Sequence, residues 1–98
     1  MATTYHRLAW QEFAKAINWY RQRSKRAAAR FIDAVFQAEA RIDSDPLQWP
    51  IYLRNYRWVK VHRFPYLLFY VILPSGEPQI MAVAHGKRRP GYWLRRRP

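Results

Sequence analysis

The chain has no cysteine, only three glycines, and a single carboxylate after Asp45, namely Glu77. Without cysteine there is no disulfide and no thiolate ligand for zinc, which permits a reducing cytoplasm, the expected location. None of the glycines falls in a phosphate-binding loop. The longest apolar run, Tyr66 to Leu73, is eight residues, too short to cross a bilayer as a helix. The start, Met1-Ala2-Thr3-Thr4-Tyr5-His6-Arg7, lacks the apolar core of a secretory signal. A soluble protein with no membrane partner is therefore expected. There is no paired Asp/Glu cluster for two-metal hydrolysis, and His6, His62 and His85 are scattered without nearby acids. Neither a metal site nor a cofactor is expected.

What is present is apolar and basic. Half of the 98 residues are hydrophobic and 17% are aromatic, so the chain should fold, as one domain over residues 1–98. Net charge is +12. Residues 1–45 hold eight Lys/Arg and five Asp/Glu, whereas residues 46–98 hold ten Lys/Arg and one acid. Such asymmetry creates a positive field that attracts nucleic acid, anionic lipid or an acidic protein.

The periodicity gives an element order. Thr3 to Leu8 reads as a short strand. Trp10, Phe13, Ile17 and Tyr20 recur at helical steps, and Glu12, Lys15, Arg21 and Arg23 fall largely elsewhere. Ser24 is a suitable N-cap for a second helix with the stripe Ala28, Phe31, Val35, Ala38 and Ile42. Asp45-Pro46 stops that helix. The short link predicts an antiparallel helical hairpin. The aromatics Trp10, Phe13, Tyr20 and Phe31 are expected in the core. Leu47 to Asn55 reads as a loop. Arg57 to Phe64 alternates, with Val59 and Val61 on one side and Trp58, Lys60 and His62 on the other. Tyr66 to Leu73 is apolar throughout, as in a central strand covered on both faces. Pro74 to Pro78 is a hairpin connection, and Gln79 to His85 is the last strand.

The order is β-α-α-β-β-β. It predicts an α+β fold, a helical hairpin packed on one face of a small, twisted, mainly antiparallel sheet. Strand parity gathers Trp58, Lys60, His62 and the residues after His85 around one concavity.

This order resembles the ParE/RelE superfamily of toxins from bacterial type II toxin–antitoxin pairs. The resemblance rests on Ala9 with Glu12, on Trp19-Tyr20, on Arg30-Phe31 with Val35, and on Pro46. It continues through Arg63-Phe64-Pro65-Tyr66 with Tyr70, then Ala82 to His85, followed by Arg88, Pro90, Tyr92 and Trp93. It covers nearly the whole chain. It implies a growth-inhibiting toxin held inactive by a cognate antitoxin. RelE-like members look like ribosome-dependent endoribonucleases that cut messenger RNA, and ParE-like members look like inhibitors of DNA gyrase. The antitoxin should carry an acidic, apolar segment that folds on binding.

Metal-independent RNA cleavage needs a base for the 2′-hydroxyl, a cation for the phosphorane and an acid for the leaving oxygen. On the RelE-like pattern, His85, Arg88 and Tyr92 are the catalytic candidates. Lys60 and Arg63 are the sheet cations, and Lys87 and Arg89 the flanking phosphate contacts. Each has a plainer reading. His85 caps a strand end, Arg88 pairs with a helix acid, Tyr92 and Trp93 pin the tail, and Arg95-Arg96-Arg97 is a frayed, solvated end. The expected activity is a ribosome-dependent messenger RNA endoribonuclease. The alternatives are a non-enzymatic gyrase inhibitor docking through the helical hairpin, and a non-toxic nucleic-acid-binding module.

Overall fold

The computed structural model describes residues 3–98. Met1 and Ala2, the first of the residues read against a secretory signal, lie outside the described residues. The first strand, β1, is only Thr4–Tyr5, because the next residue already starts a helix. His6 is extended and its Nδ1 accepts a hydrogen bond from the Leu8 N–H at 3.0 Å, capping α1 (Arg7–Arg23). Ser24 serves two helices at once. Its N–H donates to the Tyr20 carbonyl at 2.8 Å, ending α1, and its Oγ accepts from the Ala27 N–H at 3.1 Å, starting α2 (Lys25–Ser44). A one-residue link of this kind forces the helices into the expected hairpin.

In α2 the predicted stripe is the buried one: Ala28, Phe31, Val35, Ala38 and Ile42. In α1 the face is rotated from the expected one. The buried line is Ala9, Phe13 and Ala16, since small residues let this helix approach both α2 and the sheet. Trp10, expected in the core, is 52% exposed and lies edge-on to Tyr5 and Phe13. Phe13 and Phe31 are buried as expected, and Tyr20 is half-buried.

The remaining strands are β2 (Ile51–Leu53), β3 (Tyr56–Lys60), β4 (Tyr66–Ile72) and β5 (Pro78–His85). The segment β2 falls inside the expected loop, and its three residues give too little periodicity to be seen in sequence. The sheet order is β1-β5-β4-β3-β2, antiparallel except for the β1–β5 pair. The α+β architecture is thus the expected one, with five strands in place of four.

The sheet separates two apolar layers. On the helix side Val59, Val61, Leu68, Tyr70, Ile80 and Val83 join the helix stripes. On the other side Tyr56, Phe69, Val71, Met81, Ala82 and Ala84 surround Trp93. The strand β4, covered on both faces, is the fully apolar run of the sequence. Between Phe69↔Ala82 and Tyr70↔Ile80 the register slips by one, leaving Met81 as the extra residue of a β-bulge. The bulge inverts the parity of β5 beyond it. Val83 therefore faces the helices, and His85 meets Tyr66 edge-on at 5.2 Å.

Candidate functional site

After β5 the chain turns back on itself. Gly91 sits at φ +86°, where a side chain is strained, and an added Cβ would meet Leu94 at 3.3 Å. The return places Trp93, 1% exposed, on Phe69 with ring centroids 3.8 Å apart. The Tyr56 hydroxyl donates to the Trp93 carbonyl at 3.4 Å. Trp93 therefore anchors the tail, the plainer of its two expected roles.

Anchoring Trp93 brings Tyr92 and Arg96 to Glu12 of α1. That carboxylate is a hub. Its Oε1 accepts from the Val83 N–H at 2.9 Å and from Arg96 Nη1 at 3.0 Å. Its Oε2 accepts from the Tyr92 hydroxyl at 2.7 Å and from Arg96 Nη2 at 2.8 Å. Arg88 Nη1 lies 3.6 Å from the same Oε2. The side chains of Arg96 and Glu12 are only 12% and 14% exposed.

The sheet explains why a carboxylate is needed there. Strand β1 pairs only with Gln79 and Ile80, so β5 has an uncovered edge beyond them. An unpaired, half-buried backbone edge costs free energy. Glu12 takes the Val83 N–H, and Arg96 Nη1 donates to the Met81 carbonyl at 2.8 Å. Two side chains thus stand in for a missing strand. Burial raises the Glu12 carboxyl, but hydrogen bonds from Arg96, Tyr92 and the Val83 N–H outweigh it and hold it below its ordinary 4.5. Burial, reinforced by the hydrogen bond to the Glu12 carboxylate, pushes the Tyr92 phenol well above its ordinary value. At neutral pH Tyr92 is a phenol committed to Glu12.

The other expected site residues divide into near and far. Arg88 does meet a helix acid, the plainer expectation for it, and its guanidinium carbon lies 3.8 Å over the Tyr92 ring. It remains 54% exposed. His85 and Arg88 stand on a ridge lining two hollows. One, about 410 Å³, lies toward α1 beside Lys15, Trp19, Tyr20 and Tyr66. The other, about 190 Å³, lies on the tail side beside Trp58, Phe69 and Trp93. The His85 Nδ1 accepts from the Lys87 N–H at 3.1 Å. An accepting Nδ1 leaves the neutral ring's proton on Nε2, which makes that nitrogen a donor. Lys87 and Arg89 are exposed on the turn.

Lys60 and Arg63 are not gathered with Arg88 and Tyr92. The Lys60 ammonium donates to the carbonyls of Val61 at 3.4 Å and Phe64 at 3.1 Å, and it lines neither hollow. Arg63, at φ 69°, sits with His62 beside the start of α2. His62 meets Arg41 of α2 at 2.6 Å. The strand β3 ends at Lys60, so the alternation expected through His62 and Phe64 breaks there. Trp58 alone of the predicted β3 set reaches the concavity.

Two residues of the hub were not expected in it. Glu12 falls off the expected apolar face of α1, and Arg96 reads as part of a frayed end. The signal for Glu12 was its isolation: it is the one acid of α1. The signal for Arg96 was its spacing of three from Trp93, one turn along a tail pinned by that ring.

The family model described as ParE toxin of type II toxin-antitoxin system, parDE, matches residues 4–90. The chain belongs to the ParE toxin family. As a ParE-family toxin it is a member of the RelE/ParE superfamily and implies an antitoxin partner. No curated protein sequence matches the chain. The family match includes Glu12, His85 and Arg88, whereas Tyr92, Trp93 and Arg96 lie beyond it. Among the described residues of this ParE-family toxin, no helix is long and apolar enough to cross a membrane.

Proposed function

We propose that this toxin acts by binding, as an inhibitor of DNA gyrase in the cytoplasm, and not by cutting messenger RNA on the ribosome. The observation that carries this reading is the commitment of Glu12. RNA cleavage needs a free base, a free acid and a phosphate clamp in one hollow. Tyr92 donates its phenol to Glu12, Arg96 is paired with the same carboxylate, and Arg88 is partly neutralised by it. The His85 Nδ1 is engaged by the Lys87 N–H, which leaves Nε2 as the donor of the neutral ring. Lys60 and Arg63 point their charge elsewhere.

Binding, by contrast, needs exposed anchors on a rigid support. The helical hairpin supplies Trp10, Trp19 and Phe36, each about half exposed. Trp10 and Phe36 both lean on the buried Phe13, at 5.6 and 6.0 Å between ring centroids. Buried support of this kind fixes the rotamers of exposed rings, which lowers the entropy lost on docking.

The nuclease reading keeps one supporting observation: Lys15, His85 and Arg88 line the hollow toward α1 together with Trp19 and Tyr20. One preparation tests both readings. Purified toxin should inhibit supercoiling by gyrase and leave messenger RNA intact on programmed ribosomes. Cleaved messenger with normal supercoiling would establish the nuclease instead.

A further inference from the structure

The basic tail has its arginines sorted by the fold. Trp93 and Arg96 turn inward, to Phe69 and Glu12. Leu94 and Arg95 turn to the other side, where they line an open hollow of about 620 Å³ with Arg89, Arg54 and Leu53. The backbone that presents them is bonded: the Leu94 N–H donates to the Gly91 carbonyl at 3.1 Å, and the Arg96 N–H to the Trp93 carbonyl at 2.9 Å. Arg54 comes from the turn Arg54-Asn55, between the outermost strand β2 and β3. It occupies the left-handed region at φ 52°. Asparagine takes that region at lower cost, yet Asn55 stands beside the position and not in it.

The β2–β3 turn, the turn after β5 and the tail thus each deliver a guanidinium to one hollow. No acid lines it. Among the described residues none of the three arginines meets a carboxylate, since both ion pairs go to Glu12. The basic hollow at the start of α2 differs. Arg26, Arg30 and Arg63 line it together with Asp33, whose carboxylate accepts from Gln37 Nε2 at 2.8 Å. The rings available decide which polyanion suits the tail hollow. Its one ring, Tyr92, is half-buried and carries the Arg88 guanidinium carbon 3.8 Å over its face. Single strands are held by stacking their bases on open rings. A duplex hides its bases and offers phosphates, which need only cations.

We propose that Arg54, Arg89 and Arg95 form a contact for the phosphate backbone of duplex DNA, so that the toxin grips the DNA held by its target as well as the target itself. The choice of duplex DNA as partner rests on the gyrase reading, since gyrase acts on duplex DNA. Such a contact is independent of base sequence. Each arginine that neutralises a phosphate releases counter-ions, so affinity falls as salt rises.

Fluorescence anisotropy of a short labelled duplex of mixed sequence, titrated with toxin over a range of salt and without gyrase, tests it. In the variant Arg54→Gly, Arg89→Ala, Arg95→Ala the slope of log affinity against log salt should shrink by about 3. The variant Arg26→Ala, Arg30→Ala, Arg63→Gly loses the same charge at the other hollow and should keep the wild-type slope. Equal losses in the two variants would overturn the proposal, because net charge alone would then bind the DNA. Tighter binding of a single-stranded RNA of equal length would overturn it as well. Arg54→Gly by itself removes one guanidinium and relieves the backbone, so it carries the test even if the triple variant misfolds; its slope should shrink by about 1. Supercoiling is read separately with the same proteins. Normal supercoiling beside the expected slopes would refute the gyrase reading while supporting the contact. Inhibited supercoiling beside slopes that ignore the three arginines would refute the contact and leave the gyrase reading standing.

Discussion

The two edges of the sheet are opposites. At β5, beyond the short reach of β1, a carboxylate and a guanidinium occupy the places of a neighbouring strand, and the C-terminal tail is locked by the same contacts. At β2 the backbone is left unpaired, flanked by exposed apolar residues and uncompensated arginines. The closed edge shows where the tail's polar groups are used up. The open edge shows where the molecule has groups to offer. On the binding mechanism proposed above, the part of the basic second half that looks most chemical holds the closed edge together.

The largest effect should come from unpinning the closed edge at its anchor. Trp93→Ala removes a fully buried ring stacked on Phe69 and should cost about 3–5 kcal/mol, read by denaturant unfolding. Next is the hub itself. Glu12→Gln leaves the Arg96 guanidinium, 12% exposed, without its counter-charge, and should cost about 3 kcal/mol by the same measurement. The pH dependence follows from the same group. Glu12 is held below 4.5 in the folded state, so its contribution is fully present above 4.5 and is lost as pH falls through the lowered folded value. The stability gap between wild type and Glu12→Gln should therefore close on acidification. A gap that stays constant down to full protonation would mean that the carboxylate charge is not what closes the edge.

The open edge should respond in the reverse sense. Ile51→Lys replaces an exposed side chain and should change the stability of the free toxin by no more than about 0.5 kcal/mol, read by denaturant unfolding. A large loss of stability in free toxin would show that this edge, too, is structural.

The parts of the molecule legible in sequence are those where local periodicity and chemistry decide the pattern. The α2 stripe, the Ser24 cap, the stop at Asp45-Pro46 and the doubly covered β4 all follow from periodicity and local chemistry. The face of α1 did not, because close packing on both α2 and β5 favours Ala9 and Ala16 over the larger Trp10. The orientation of His85 depends on a bulge at Met81 that no local signal announces. The concavity was half legible. Trp58, His85, Arg88, Tyr92 and Trp93 do converge, whereas Lys60 and Arg63 do not, since the Lys60 ammonium turns to the carbonyls of Val61 and Phe64 and Arg63 lies beyond the end of β3. Glu12 and Arg96 are separated by 84 positions, and only the tertiary fold brings such a pair together.

The sharpest test substitutes the two candidate acid–base side chains, in a Tyr92→Phe, His85→Ala toxin expressed without antitoxin. Growth arrest should persist, because on the binding mechanism neither group serves a reaction. Loss of arrest in a variant that still folds and still binds its antitoxin would contradict the binding mechanism and return the hollow to catalysis.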